Sequence, residues 1–212
     1  MSRKAHARGP GRGSEPATAE DGPWLEPEEV RPGLLLFVPA ATPELAAVLA
    51  TGAVRAVVAA AADLAGWREP CRRHGVALLV LDPAEDAVAA DGAHLGGPAR
   101  TGALRARLGA EGILGVACGR SRHTAMVAGE AGADYVMFGS PERPDEAGDE
   151  LPGLVGWWNE LFVIPCAAAI PPEPALAAAL VAAGADLLAL RATSPETVMA
   201  VAGALATGGV ER

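Results

Sequence analysis

Four ionisable side chains stand at or just after the ends of short apolar runs, and their chemistry is that of a metal or phosphate site. Asp82 could hold Mg2+ through its carboxylate or act as a general base. His94 could orient a ligand through a ring nitrogen. Arg143 and Arg191 carry guanidinium groups, which bind phosphate through paired hydrogen bonds. These four residues are the first candidates for a functional site.

Each candidate also has a purely structural interpretation. Asp82 would equally cap a following helix, and His94 would equally be a hydrogen-bonded histidine of the core. Asp86, four residues after Asp82, would complete a metal pair on one helix face or be an exposed helix charge. The residue types alone leave both interpretations open.

The strands and helices that position these residues are encoded by a repeated sequence pattern. The stretch AADGAHLGG at residues 89–97 recurs as AGADYVMFG at 131–139 and as AGADLLALR at 183–191. Gly132 and Gly184 suit the end of a helix, because glycine adopts the left-handed conformation that closes one. The apolar run that follows fits a parallel strand covered on both faces. Repeated around a ring, this unit forms a (β/α)8 barrel.

The whole chain from residue 33 onward alternates between strand-like and helix-like segments. We predict eight strands, at Leu34–Val38, Val54–Ala60, Val76–Leu81, Ala93–Leu95, Ile113–Ala117, Tyr135–Phe138, Phe162–Ala167 and Leu187–Leu190. Ser121 and Ser194 are predicted helix N-caps, and Pro195 then takes the first helical position. The fold class is therefore α/β, a (β/α)8 TIM barrel, with an open doubly wound sheet as the second choice.

Residues 1–30 lack this alternation. They are rich in Gly, Pro, Ala and charge, which predicts a disordered N-terminal tail before a barrel domain at 31–212. The net charge of −9 and the pI near 4.9 argue against nucleic acid and anionic membranes as partners. No apolar stretch of membrane-spanning length and no secretory-type apolar block occurs, so a cytoplasmic location is expected. Cys71, Cys118 and Cys166 form no CxxC pair and are expected to be buried free thiols.

Three motifs give the chain a family resemblance. DGAHLGG at 91–97, GVAC at 115–118 and GADYVMFG at 132–139 resemble the strand 4, 5 and 6 motifs of the thiamine phosphate synthase/TenI family. The resemblance covers roughly residues 33–206 and implies a protein of thiamine biosynthesis or salvage. Family synthases join a pyrimidine pyrophosphate to a thiazole phosphate with Mg2+, and TenI-type members are thiazole tautomerases. Small phosphorylated thiazole or pyrimidine ligands are the partners implied.

The chain departs from the family at most charged and glycine-rich positions. The QLR-x-K pattern of strand 2 is replaced by 57–61, VVAAA, and the Gln and acid after HLG align with Gly97 and Ala99. The phosphate-binding GGI turn aligns with Ala168-Ala169-Ile170. Lys4 is the only lysine, so the barrel has none. We therefore expect a family member without full synthase activity, and whether it is an enzyme stays open.

The resemblance and the strand ends together define a predicted site at the carboxyl ends of the strands. We predict Asp82 and His94 as catalytic and Asp82 as a metal ligand, with Mg2+ as the implied cofactor. The predicted ligand- and phosphate-binding residues are Arg191, Arg143, Cys118, Gly139, Ala168 and Ala169.

The residues leave other functions open. The chain could be a non-catalytic paralogue that binds a small phosphorylated ligand or a protein partner. Trp157 and Trp158 indicate outer-layer packing or a subunit contact, and a homodimer is an expected assembly. His123 would match the tautomerase acid/base histidine only if the loop after strand 5 were rearranged.

Overall fold

Eight parallel strands close into one barrel, in chain order, with the last strand paired to the first. The structure is a computed structural model that describes residues 32–84, 90–143, 148, 150–192 and 194–207. The strands are β1 Gly33–Val38, β2 Val54–Ala59, β3 Ala77–Leu81, β4 Gly92–Leu95, β5 Ile113–Gly119, β6 Tyr135–Phe138, β7 Cys166–Ala169 and β8 Leu187–Arg191. The predicted (β/α)8 barrel is confirmed. The predicted tail and Asp86 lie outside the described residues.

Helices cover the outside of the barrel. They are α1 Pro43–Ala46, α2 Leu64–His74, α3 Thr101–Leu108, α4 Arg122–Glu130, α5 Leu151–Leu161, α6 Pro174–Ala182 and α7 Pro195–Thr207. Short 3-10 segments at Ala47–Thr51 and Pro98–Arg100 extend two connections. Ser121 caps α4 as predicted, its hydroxyl accepting from the Thr124 backbone N–H at 3.1 Å. None of the helices in the described part is both long and apolar enough to span a membrane.

The seventh strand begins later than predicted. Phe162 is not its first residue but the residue that ends α5, and its N–H donates to the Trp158 carbonyl at 2.9 Å. The Phe162 ring stacks on Trp158 with centroids 4.1 Å apart. The apolar character of Phe162 therefore serves helix packing, and the strand starts at Cys166.

Alternate strand residues face two different apolar layers. One layer fills the barrel, and the other lies between the strands and the helices. The barrel interior contains Leu35, Phe37, Ala56, Val58, Leu79, Ile113, Tyr135, Met137, Ala167, Ala169, Leu187 and Ala189. The outer layer holds the largest side chains, including the fully buried Trp67 and Trp158. On β7 the residues that face the helices, Cys166 and Ala168, are small, whereas on β8 they are Leu188 and Leu190.

The aspartate of each of the three repeats forms two hydrogen bonds with one residue of the preceding strand, through its N–H and its carboxylate. We call this pair of hydrogen bonds an aspartate clip. Asp91 donates its N–H to the Leu78 carbonyl at 2.9 Å and accepts the Leu78 N–H through Oδ2 at 2.8 Å. Asp186 makes the same two contacts with Cys166, at 3.0 and 2.9 Å. Each clip satisfies a backbone N–H at the amino end of a strand, where the ladder leaves it without a partner.

The clip at Asp134 is reinforced by an arginine. The Asp134 N–H donates to the Leu114 carbonyl at 2.8 Å, and the Asp134 Oδ2 atom accepts the Leu114 N–H at 2.6 Å. Arg105 pairs with the same carboxylate. Its guanidinium also donates to three backbone carbonyls, those of Gly109, Gly112 and Gly132, at 2.7–2.8 Å. This site ties α3 to the amino ends of β5 and β6.

We expect Asp134→Ala to lower the free energy of unfolding by about 2–3 kcal/mol, because it leaves the Leu114 N–H and the Arg105 guanidinium without their acceptor. Asp134→Asn keeps an oxygen for the Leu114 N–H and should cost about 1 kcal/mol. Urea denaturation at pH 7 measures both. Equal losses for the two variants would mean that the backbone clip contributes nothing beyond the ion pair.

Candidate functional site

The carboxyl ends of the strands form one rim, and three of them carry a glycine. Gly96 follows β4, Gly119 ends β5 and Gly139 follows β6. Gly119 and Gly139 have φ values of 55° and 80°, in the left-handed region that favours glycine. The Gly139 N–H donates to the Gly119 carbonyl at 2.8 Å. Gly139 therefore lies at the rim as predicted, but its amide is already used within the protein.

Asp82, the residue after β3, has a strained backbone conformation that hydrogen bonds to neighbouring residues stabilise. Its φ of 41° is the only positive value among the described residues other than glycine. Its N–H donates to the His94 carbonyl at 2.9 Å, and its Oδ1 accepts the Gly96 N–H at 2.9 Å. Arg100 lies 3.4 Å from the same oxygen. The side chain is 51% exposed, so Asp82 presents a half-exposed carboxylate at the rim.

His94 lies just beneath the rim, inside the barrel. It is 1% exposed, and its Nδ1 is 2.8 Å from the Tyr135 hydroxyl. Its ring meets the Phe37 ring edge-on, with centroids 5.0 Å apart. Burial lowers the pKa of His94 to about 4, and the nearby Asp82 charge offsets this only in part. The imidazole is therefore neutral at pH 7, and Nε2 is a buried atom with no hydrogen-bond partner among the described residues.

Tyr135 reaches His94 because residue 115 is glycine. A Cβ on Gly115 would lie 2.0 Å from Tyr135 Cζ, so any side chain there would displace the phenol ring. Burial raises the pKa of Tyr135, which keeps the hydroxyl protonated. Tyr135 is not among the site residues predicted from the sequence. A lone tyrosine in a buried strand was the available signal, since its hydroxyl needs a partner inside the barrel.

Two of the predicted ligand-binding residues face away from the mouth. Cys118 and Ala168 belong to the layer between strands and helices. The Cys118 thiol is 3.4 Å from the Val116 carbonyl, and burial raises its pKa to about 12. Ala169 faces the barrel interior, but Ala168 and Ala169 are part of β7 rather than of a turn.

The segment after β7 has no backbone N–H free for a ligand up to the start of α6. The Ile170 N–H donates to the Ala189 carbonyl at 3.0 Å. Pro171 and Pro172 have no N–H, and the Glu173 N–H donates to the Pro171 carbonyl at 2.7 Å. A phosphate cradle of backbone amides, which is what a glycine-rich turn provides, is therefore missing at this point.

Two of the arginines at the rim pair with carboxylates of the protein. Arg191 ends β8 and pairs with Glu142, in the segment after β6. Arg120 follows β5 and pairs with Glu150. Arg143 is exposed next to Glu142, and its N–H donates to the Ser140 carbonyl at 3.1 Å.

The predicted residues thus form two groups on the rim. Asp82 and His94 meet at the ends of β3 and β4, whereas Arg191 and Arg143 lie near the ends of β8 and β6. In the described part of the chain, no three His, Cys, Asp or Glu side chains are grouped as a metal site.

Two curated relatives of this chain are both named thiamine-phosphate synthase. The thiamine-phosphate synthase of Erythrobacter litoralis (strain HTCC2594) is 43% identical over 128 residues, which are 57% of this chain and 60% of that protein. The thiamine-phosphate synthase of Rhodospirillum centenum (strain ATCC 51521 / SW) is 44% identical over 108 residues, 47% of this chain and 50% of that protein. The matched part is thus 50–60% of the length of these two relatives.

Solved structures show the same fold. The thiamine phosphate pyrophosphorylase from Pyrococcus furiosus superposes with a TM-score of 0.67 at 21% identity, over 84% of this chain and 95% of that chain. The BexX/CysO complex of Amycolatopsis orientalis includes a chain that superposes with a TM-score of 0.62 at 15% identity, over 89% of this chain and 94% of that chain. At these identities the likeness concerns the fold.

A family model decides the assignment. The model described as thiamine monophosphate synthase matches residues 45–193, from α1 to the end of β8. This range contains the three repeats, the aspartate clips and the rim residues described above. The chain therefore belongs to the thiamine monophosphate synthase family, TMP-TENI.

Proposed function

We propose that this chain is a cytoplasmic ligand-binding barrel of thiamine biosynthesis or salvage that does not turn over the synthase reaction. The observation that carries the proposal is the shortage of donors at the rim. The segment after β7 offers no free backbone N–H before α6. Lys4 is the only lysine of the chain, and it precedes the barrel. A departing pyrophosphate needs several such donors in the transition state.

The wall of the barrel supports the same proposal. At the carboxyl end of β2, Val57, Val58 and Ala59 are all buried and apolar. Three described arginines near the rim, Arg100, Arg120 and Arg191, pair with carboxylates of the protein itself. The rim therefore presents little unmatched positive charge to a doubly phosphorylated substrate.

The donor set does not fit a Mg2+ ion held by paired carboxylates. Asp82 is the one described carboxylate at the end of β3, and the Arg100 guanidinium already lies against it. Gly97 and Ala99, which follow β4, supply no side-chain oxygen. In the described part of the rim, the side chains therefore do not form a paired-carboxylate site for the ion.

The proposed ligand is a small phosphorylated thiazole or pyrimidine, with its ring toward the barrel and its phosphate at the rim. His94 is the polar group beneath the mouth, and a heteroatom of the ligand ring or a water molecule would satisfy its Nε2 atom. Arg191 is proposed to hold the phosphate, because it is the last residue of β8 and lies on the strand face directed to the barrel interior. His94 is the group proposed to orient the ring.

A second candidate function is protein binding through the end of α5. Leu161 is 63% exposed and Val163 is 100% exposed, beside the half-buried Trp157. Exposed apolar side chains so close together are typical of contact surfaces. A homodimer through this end is the assembly proposed, and light scattering of the purified protein would show twice the monomer mass of 21.3 kDa.

We expect no measurable thiamine-phosphate synthase turnover. Loss of one charge-assisted donor commonly costs about 3 kcal/mol in the transition state, and several such losses bring the rate to background. Complementation of a thiamine-requiring strain that lacks its synthase is the measurement, with the Rhodospirillum centenum relative on the same vector as control. Growth supported by this chain at ordinary expression would show that the rim does stabilise pyrophosphate.

Replacing Arg191 tests the proposed phosphate contact. We expect Arg191→Ala to weaken a phosphorylated thiazole by about 2 kcal/mol, and its dephosphorylated analogue by much less, because only the first offers an anion to the guanidinium. Titration calorimetry with both ligands measures the difference. The same loss for both would indicate that Arg191 acts through structure and not through the phosphate.

The neutral state of His94 predicts a pH-dependent stability. Its folded pKa of about 4 lies below the unfolded value of 6.5, so the unfolded chain binds the proton first as the pH falls. The contribution of His94 is complete above pH 6.5 and declines as the pH falls toward 4. The expected loss of unfolding free energy between pH 7 and pH 5 is about 2 kcal/mol.

Urea denaturation of His94→Gln and of the wild type at both pH values measures this loss. The variant should lose most of the pH dependence, because glutamine does not titrate. His74→Gln serves as the matched control, since His74 is exposed at the end of α2. A His94→Gln variant with the wild-type slope would place the titrating group elsewhere.

A further inference from the structure

An ion pair between Arg191 and Glu142 bridges the rim of the barrel. Arg191 is the last residue of β8, Glu142 lies four residues after the end of β6, and β7 stands between these strands in the ring. The two side chains are 56% and 59% exposed. The pair is therefore open to solvent and to any ligand that enters the mouth.

The register of β8 directs Arg191 to the mouth rather than to the helices. Leu187 and Ala189 lie four and two residues earlier and face the barrel interior. Residues two apart in a strand share a face, so Arg191 continues this inner row. Its partner in the neighbouring strand β1 is Phe37, which also faces the barrel interior.

The described main-chain N–H groups of Ala192 and of the segment after β7 are already used within the protein. The Ala192 N–H donates to the Phe37 carbonyl at 2.9 Å, and the Ile170 N–H donates to the Ala189 carbonyl. Pro171 and Pro172 contribute no donor. Among these described groups, the donor left for a phosphate is the Arg191 side chain, which the Glu142 carboxylate already contacts.

We propose that Glu142 is a specificity-determining residue, an internal anion that occupies the Arg191 guanidinium and that a ligand phosphate must displace. This inference rests on the proposed function, in which Arg191 holds the phosphate. Exposed ion pairs are weak and are screened by salt, so the carboxylate lowers the affinity without closing the subsite. A phosphate dianion outcompetes a single carboxylate at the guanidinium, whereas a ligand carboxylate has no advantage over Glu142.

The test compares Glu142→Gln with Glu150→Gln. Both changes remove one exposed carboxylate from an arginine pair on the same rim, but Glu150 pairs with Arg120. We expect Glu142→Gln to lower the dissociation constant of a thiazole phosphate about fivefold, as for removal of a competing exposed ion pair. Glu150→Gln should change it less than about twofold, because loss of a distant exposed charge is largely screened. Calorimetric titrations at one physiological ionic strength, where the Debye length is about 8 Å, give both values, with inorganic phosphate as a second probe.

A double-mutant cycle with Arg191→Gln separates competition from general charge effects. The gain from Glu142→Gln should vanish when Arg191 is also glutamine. A gain that persists without Arg191, or equal affinities for Glu142→Gln and the wild type while Arg191→Gln binds more weakly, would overturn the inference and leave the proposed phosphate contact in place. If Arg191→Gln binds the phosphorylated ligand as tightly as the wild type, the proposed contact fails, and the inference fails with it.

Discussion

The aspartate clips fix the register of three strand pairs of the barrel, β3–β4, β5–β6 and β7–β8, at the amino ends of the strands. Each clip pairs one aspartate, through its N–H and its carboxylate, with a single residue of the preceding strand. A slip of one residue would exchange the interior and the helix-facing side chains of a whole strand. With the aspartate fixed, the residues at odd distances after it face inward. His94 lies three residues after Asp91, and Arg191 lies five residues after Asp186.

The amino ends and the carboxyl ends of the strands have different roles in the barrel. The amino ends are held by satisfied backbone groups and by the Arg105 network, which favours stability. The carboxyl ends carry the glycines, the strained Asp82 and the exposed ion pairs. Backbone strain of this kind persists only where neighbours hold it, as His94 and Gly96 hold Asp82. The rim is thus the end of the molecule at which side chains can change partners without loosening the barrel.

The fold could be predicted from the sequence because its determinants are local. Repeats with glycine, aspartate and an apolar run identified the strands, and β7 was misplaced only because the apolar Phe162 serves α5 instead. The site was harder to predict. Cys118 follows the sequence order of the strand ends, but its register turns it toward the helices. The partners that decide the chemistry of the rim, such as Glu142 for Arg191, are 49 residues apart in the chain and could not be inferred from spacing.

The interior of the barrel determines how a ligand of this family would be oriented in it. Among the described residues inside the barrel, the imidazole of His94 and the hydroxyl of Tyr135 are buried polar groups, and neither carries a charge at pH 7. Moving an unpaired charge into such an interior would cost far more than one exposed ion pair could offset. A phosphorylated heteroaromatic ligand would therefore bind with its ring directed inward and its phosphate at the rim. The charge selectivity of the barrel must then lie in the few rim residues that replace the family's donors, and the barrel wall can contribute only shape and hydrogen bonding.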